Sequence, residues 1–171
     1  IEAGQHVIYI VPGRPAPKAS NPVVNLVLGI LTFFSVVLTG ALFGMTEELP
    51  ADIGQAVLVL LERGWPFAVS MLAILSAHEF GHYLAGRRHG VHVTLPYFIP
   101  MPFSAFGTMG AFINMKEPPK NRNHLLDIGI AGPLSGLVVA IPVLFIGLAL
   151  SNLTRLVPEP GTMIQLEGNS I

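Results

Sequence analysis

The sequence has no cysteine, a single tryptophan and few charges; lysine, arginine, aspartate and glutamate together make up 11% of its 171 residues. Without thiols there is neither a disulfide framework nor a thiolate metal site, so any metal must be held by His, Asp or Glu. The scarcity of charge, with a mean hydropathy of +0.64, sets the chain apart from soluble domains. A formal net charge of -1 leaves no basic surplus, which argues against a nucleic-acid binder. No internal repeat is present, and nothing at the start resembles a cleavable signal peptide. The chain opens on Ile1 rather than Met, which reads as a fragment or a processed product.

What is present in quantity is uninterrupted apolar sequence. Residues 23–43 carry no charge, and 21 residues at about 1.5 Å each span one bilayer core of about 30 Å. Before them, residues 1–22 hold a short alternating run at 6–11 that suits a strand. Pro12, Pro15, Pro17 and Pro22 then impose an extended linker. Residues 45–64 read as a separate apolar segment, on the membrane surface or against other helices. Asp52 with Gln55 resembles an N-cap and its partner, and Gly64 a C-terminal stop. Trp65-Pro66 opens a second span over 66–88, since Trp favours the lipid boundary and Pro a helix's first turn. Residues 91–103, broken by Pro96, Pro100 and Pro102, read as a turn or re-entrant loop, and 107–115 as strand-like. A third span covers 125–150, where Gly129, Ala131, Gly132, Ser135 and Gly136 form a small-residue face suited to close helix packing. The expectation is an all-α polytopic membrane protein with about three transmembrane helices. A short re-entrant loop or β-strand segment lies between the second and third, and residues 151–171 form a tail.

Inside the second span lies His78-Glu79-Phe80-Gly81-His82. Residues four apart share a helix face, so His78 and His82 can hold one metal ion while Glu79 reaches a water beside it. This is the His-Glu-x-x-His arrangement of zinc hydrolases. A chance match and a pair of satisfied core histidines are the bland readings. The setting weighs against both, because ionisable groups in a hydrophobic span cost about 2.5–3.5 kcal/mol or more each. Other donors fit less well. His89 lies about 10 Å further along the axis than His82. His92 and His124 read as polar surface histidines, and Glu117 sits in a cationic loop. Asp127 reads as the cap of the third helix.

Several segments in order extend the motif: His78-Glu-Phe-Gly-His-Tyr-Leu-Ala85, Arg87-Arg-His-Gly90, Leu95-Pro-Tyr-Phe-Ile-Pro100, Gly107-Thr-Met-Gly-Ala111 and Ala131-Gly-Pro133. With these, the chain resembles the site-2 protease family of intramembrane zinc metalloproteases, in particular its bacterial and chloroplast branch. The likeness is good over about residues 65–150 and loose elsewhere. It implies that His78 and His82 bind one zinc ion and that Glu79 is the general base. It also implies that the substrate is a transmembrane protein cut within the lipid bilayer, usually after a first cut by another protease. The family's third ligand is an aspartate in a Leu-Asp-Gly motif on a later helix. No such motif occurs here, and Leu126-Asp127-Ile128 precedes the Ala-Gly-Pro segment, so the third ligand is expected beyond residue 171.

A helical substrate hides its carbonyls, so it must be unwound locally, and Gly107, Thr108, Met109 and Gly110 are candidate substrate contacts by strand-edge pairing. A simple core role for that strand is the alternative. Arg14, Lys18, Arg87, Arg88, Lys116, Lys120 and Arg122 fall on one side of the spans and Arg63 and Arg155 on the other. This puts the metal near the cytoplasmic face. The resemblance implies a bacterial plasma membrane, with a chloroplast membrane as the alternative. Two further readings stay open: a catalytically inactive membrane scaffold, and a different membrane zincin such as a prenyl-protein protease. With two ligands, residues 1–171 alone are expected to show weak or absent activity. Nothing in the sequence speaks to oligomeric state.

Overall fold

In the computed structural model the described residues are 21–43, 45 and 48–151. The alternating run at 6–11 and the tail after Ser151 lie outside them. Three long helices and one hairpin follow in the order α1 (Pro22–Leu42), α2 (Ile53–Arg88), β1 (Tyr97–Pro100), β2 (Thr108–Phe112) and α3 (Arg122–Leu150). All three helices are long and apolar enough to cross a membrane. The expected architecture of three spans, with a strand segment between the second and third, is what the chain forms.

α1 starts where Asn21 accepts a hydrogen bond from the Val23 amide at 3.0 Å, with Pro22 in the first turn. α2 starts at the expected cap, Asp52 accepting from the Gln55 amide at 2.9 Å. It does not stop at Gly64. A single helix runs through Gly64, Trp65 and Pro66 to Arg88, so the surface segment and the second span are one element of 36 residues, about 54 Å long. Tertiary packing overrides the two breakers. Leu61, Phe67, Met71 and Leu72 lie on both sides of Pro66 and pack against a core of Val36, Val37 and Ala68. Gly64 is buried where a side chain would strike the Val37 backbone. The proline itself is exposed, as is Glu62, whose carbonyl it leaves without a donor.

α2 ends on a Schellman turn. The Val91 amide donates to Gly86 O at 2.9 Å and the Gly90 amide to Arg87 O at 3.1 Å, with Gly90 at φ 69. The chain then enters an antiparallel hairpin with Tyr97 opposite Phe112, Phe98 opposite Ala111 and Ile99 opposite Gly110. The register shifts between Ile99 and Pro100, a place where a proline's missing N–H is tolerated.

The hairpin folds back along α1. Near its base, Asn25 Nδ2 of α1 donates to Leu95 O at 3.0 Å and Pro96 O at 2.8 Å. Near its tip, Ser35 Oγ donates to Gly107 O at 2.5 Å, and Thr39 Oγ1 lies 3.3 Å from Pro102 O. Residues 25 and 39 are about 21 Å apart along α1, so the hairpin descends most of the way along that helix. β1 packs against α1, β2 touches both α1 and α2, and the outer edge of β2 meets no other strand among the described residues.

α3 is capped by Asn121, whose Oδ1 accepts from the His124 amide at 2.8 Å. Asp127, expected as the cap, lies inside the helix instead. α3 packs along α2 and presents Leu134, Leu137, Val138, Ile141, Leu144 and Phe145 outward, all more than two-fifths exposed among the described residues.

Candidate metal centre

Helical spacing puts His78 and His82 on one face of α2, and their rings meet edge to face with centroids 4.8 Å apart. The two Nε2 atoms are 3.1 Å apart. Two imidazoles sharing a tetrahedral zinc ion at about 2.0–2.1 Å hold their nitrogens about 3.3 Å from each other, so the observed separation suits a shared ion. The outer nitrogens agree. His82 Nδ1 lies 2.7 Å from Ile128 O on α3, and a carbonyl can only accept, so this nitrogen carries the hydrogen and Nε2 keeps its lone pair for a metal. Glu79 is 6% exposed, one of few charged side chains buried in the helical layer.

The neighbouring helix α3 holds this face in place. Gly81, between the ligands, lets α3 approach until an added Cβ would meet Ala131 O and Ser135 Oγ at 2.5 Å. Ser135 Oγ is turned back onto Ala131 O at 2.7 Å, so its proton is committed within α3. The site lies six residues from Arg88, about 9 Å in from the end of α2. Among the described residues no third His, Cys, Asp or Glu joins the pair into a cluster of metal-binding type.

A family model described as Peptidase family M50 matches residues 66–166, more than half of the chain. The chain belongs to peptidase family M50. Members of M50, the site-2 proteases, are zinc metalloproteases of membranes, in keeping with a multi-pass chain that carries this histidine pair. The M50 chain is 32% identical over 145 residues to the protein named "Probable zinc metalloprotease EGY1, chloroplastic" of Oryza sativa subsp. japonica, covering 76% of this chain and 24% of that protein. It is 34% identical over 122 residues to "Probable zinc metalloprotease EGY2, chloroplastic" of Arabidopsis thaliana, covering 70% and 21%. The chain thus spans about a quarter or less of the length of the curated relatives it matches. No solved structure matches it.

The other donors that the sequence offered in the M50 chain, His89, His92, Glu117, His124 and Asp127, are engaged with one another. His89 closes α2 as its C-cap and sits 3.1 Å from Asp127 Oδ2, which accounts for Asp127 without a capping role. His89 also stacks on His124 at 4.2 Å, so His124 is half-buried between helices rather than a surface histidine. His92 is exposed, as expected, and pairs with Glu117 at 3.2 Å. None of these groups reaches the His78–His82 pair.

The four candidate substrate contacts divide. Gly107, at φ 72, is wedged against Ser35, Val36 and Thr39, where a side chain would strike the α1 backbone. Thr108 is buried, its Oγ1 donating to Ile99 O at 2.8 Å and accepting from the Gly110 amide at 3.0 Å. These two build the hairpin. Met109, 67% exposed, and Gly110, with open space around it, are the positions that face outward. The site residue that the sequence hid is Ile128, because it acts through its backbone carbonyl and its apolar side chain gives no hint of that.

Proposed function

We propose that this chain carries the histidine pair and general base of an intramembrane zinc metalloprotease. It hydrolyses a peptide bond in or near a transmembrane segment of a membrane-protein substrate. One observation supports the reading above the rest: two Nε2 atoms converge 3.1 Å apart, next to a buried glutamate, in a helix fit to span a membrane. His78 and His82 would hold the ion, with an aspartate from outside the described residues as third ligand. Bound zinc supplies Lewis acidity, which polarises a carbonyl and brings the pKa of water towards neutrality.

The chain's own groups do the rest. Glu79 takes the proton from the attacking water and returns one to the leaving amine. Ile128 O holds His82 in the ligating tautomer. The outer edge of β2, at Met109 and Gly110, pairs with a locally unwound substrate segment and presents its carbonyl. The cationic end of the molecule, with Arg87, Arg88, Lys116, Lys120 and Arg122, faces the cytoplasm or its chloroplast equivalent, so the centre opens near that face. The membrane is a bacterial plasma membrane or, as in the named relatives, chloroplastic.

The test is Glu79→Gln in the complete protein, assayed for cleavage of a membrane substrate in vesicles. The expected outcome is a rate lower by about 10²–10⁴-fold with zinc content unchanged. Undiminished cleavage removes Glu79 from its role.

A further inference from the structure

Four glycines on α3 divide by what stands opposite them. A methyl placed on Gly132 would overlap the His82 ring, Nε2 foremost, and one on Gly136 would come 3.4 Å from His78 Cβ and 3.5 Å from its Nδ1. At Gly129 and Gly147 the same methyl meets open space. Helix propensity does not separate the four, since each glycine loosens a helix interior for the same backbone reason. Gly132 also lies one turn after Ile128, the residue whose carbonyl accepts the His82 Nδ1 proton at 2.7 Å.

We infer that Gly132 is a positioning residue for His82: its missing side chain is the slot that lets the imidazole reach Ile128 O with Nδ1 while Nε2 faces His78. The inference rests on the metal-site reading above and adds a requirement to it. Both anchors of the ring depend on this slot. A residue with a Cβ at 132 collides with the imidazole, and the ring is the part that yields, because it turns on its own side-chain bonds while both helix backbones are fixed by packing. Once turned, it gives up the Ile128 hydrogen bond and the approach to His78 together. At Gly136 a methyl makes ordinary van der Waals contact, so His78 tolerates alanine there.

The experiment compares Gly132→Ala, Gly136→Ala and Gly129→Ala in the full-length protein in detergent, with two readouts. The first, on metal-free protein with nitrogen-labelled histidine, is the slowly exchanging Nδ1 proton of His82 in the NMR spectrum. The second is cobalt(II) titration followed by ligand-field absorption. Gly132→Ala is expected to lose the protected proton and to bind cobalt at least about tenfold more weakly. Gly129→Ala should match wild type in both, and Gly136→Ala should keep the proton. A Gly132→Ala protein that retains the proton overturns the inference. Wild type that takes up no cobalt counts against the zinc reading instead, and the proton still decides the role of Gly132.

If Gly132→Ala does not fold, the pair His82→Ala and His82→Ala/Gly132→Ala decides. Equal or higher thermal stability of the double variant supports the slot, since the methyl then has no ring to displace. A double variant less stable than His82→Ala shows that the glycine serves helix packing, and the inference fails.

Discussion

A hydrogen is all that α1 leaves room for at position 64. The Val37 carbonyl lies where a Cβ would go, and backbone cannot step aside as a side chain can. Gly64→Ala is therefore expected to lower stability by about 1–3 kcal/mol through overpacking, seen as an earlier unfolding midpoint in detergent. Asp127→Asn is expected to do little, within about 1 kcal/mol in the same assay, because the carboxylate facing His89 is 57% exposed and water screens the pair. These residues mark what the sequence can convey at this scale. His78, Glu79 and His82 are legible because their relation is local, fixed by the pitch of one helix. Gly64 is not, since its partner lies on another helix and a glycine packed against backbone has the same letter as a glycine that ends a helix. Ile128 was hidden for a similar reason: every residue has a carbonyl.

At the scale of elements, the existence of each helix was legible and the joins between them were not. Asp52 and Gln55 mark a true start, whereas Pro66 marks no start at all, because the apolar stripe packed on Val36, Val37 and Ala68 continues past it. β2 was foreshadowed by its glycines, whereas β1 lies in the stretch whose prolines read as a turn or re-entrant loop, and the hairpin's attachment to α1 was not legible. That attachment rests on Asn25, whose two amide hydrogens serve two carbonyls. Asn25→Leu leaves both carbonyls without donors in an apolar setting, at a cost of about 1–3 kcal/mol for each. Because the chain lacks cysteine, one introduced at Phe103 is a unique probe of the hairpin tip. Thiol labelling at that position is expected to be faster in the Asn25→Leu background, and an unchanged rate would show that the tip is held from elsewhere.

For the whole molecule, the alternation of three membrane-length helices sets which ends lie together. The end of α2, the base of the hairpin and the start of α3 share one face, and the turn before α2 lies on the other. Single cysteines at Lys120 and Leu49 in sealed vesicles are expected to react with a membrane-impermeant reagent from opposite sides. Labelling of both from the same side would rule out the threading described. The three membrane-length helices were legible from hydropathy alone, since a bilayer imposes length and polarity on any chain that crosses it. The depth of the hairpin was not, and it has a consequence of its own. Among the described residues the amides and carbonyls along the far side of β2 meet no other strand, and in hydrocarbon each such bare group is penalised by several kcal/mol. On the proposed reading, a guest strand that docks there would complete the hydrogen bonds of this row. The same backbone that steadies the hairpin along α1 would then be the register mark that decides which bond of the guest is offered for scission.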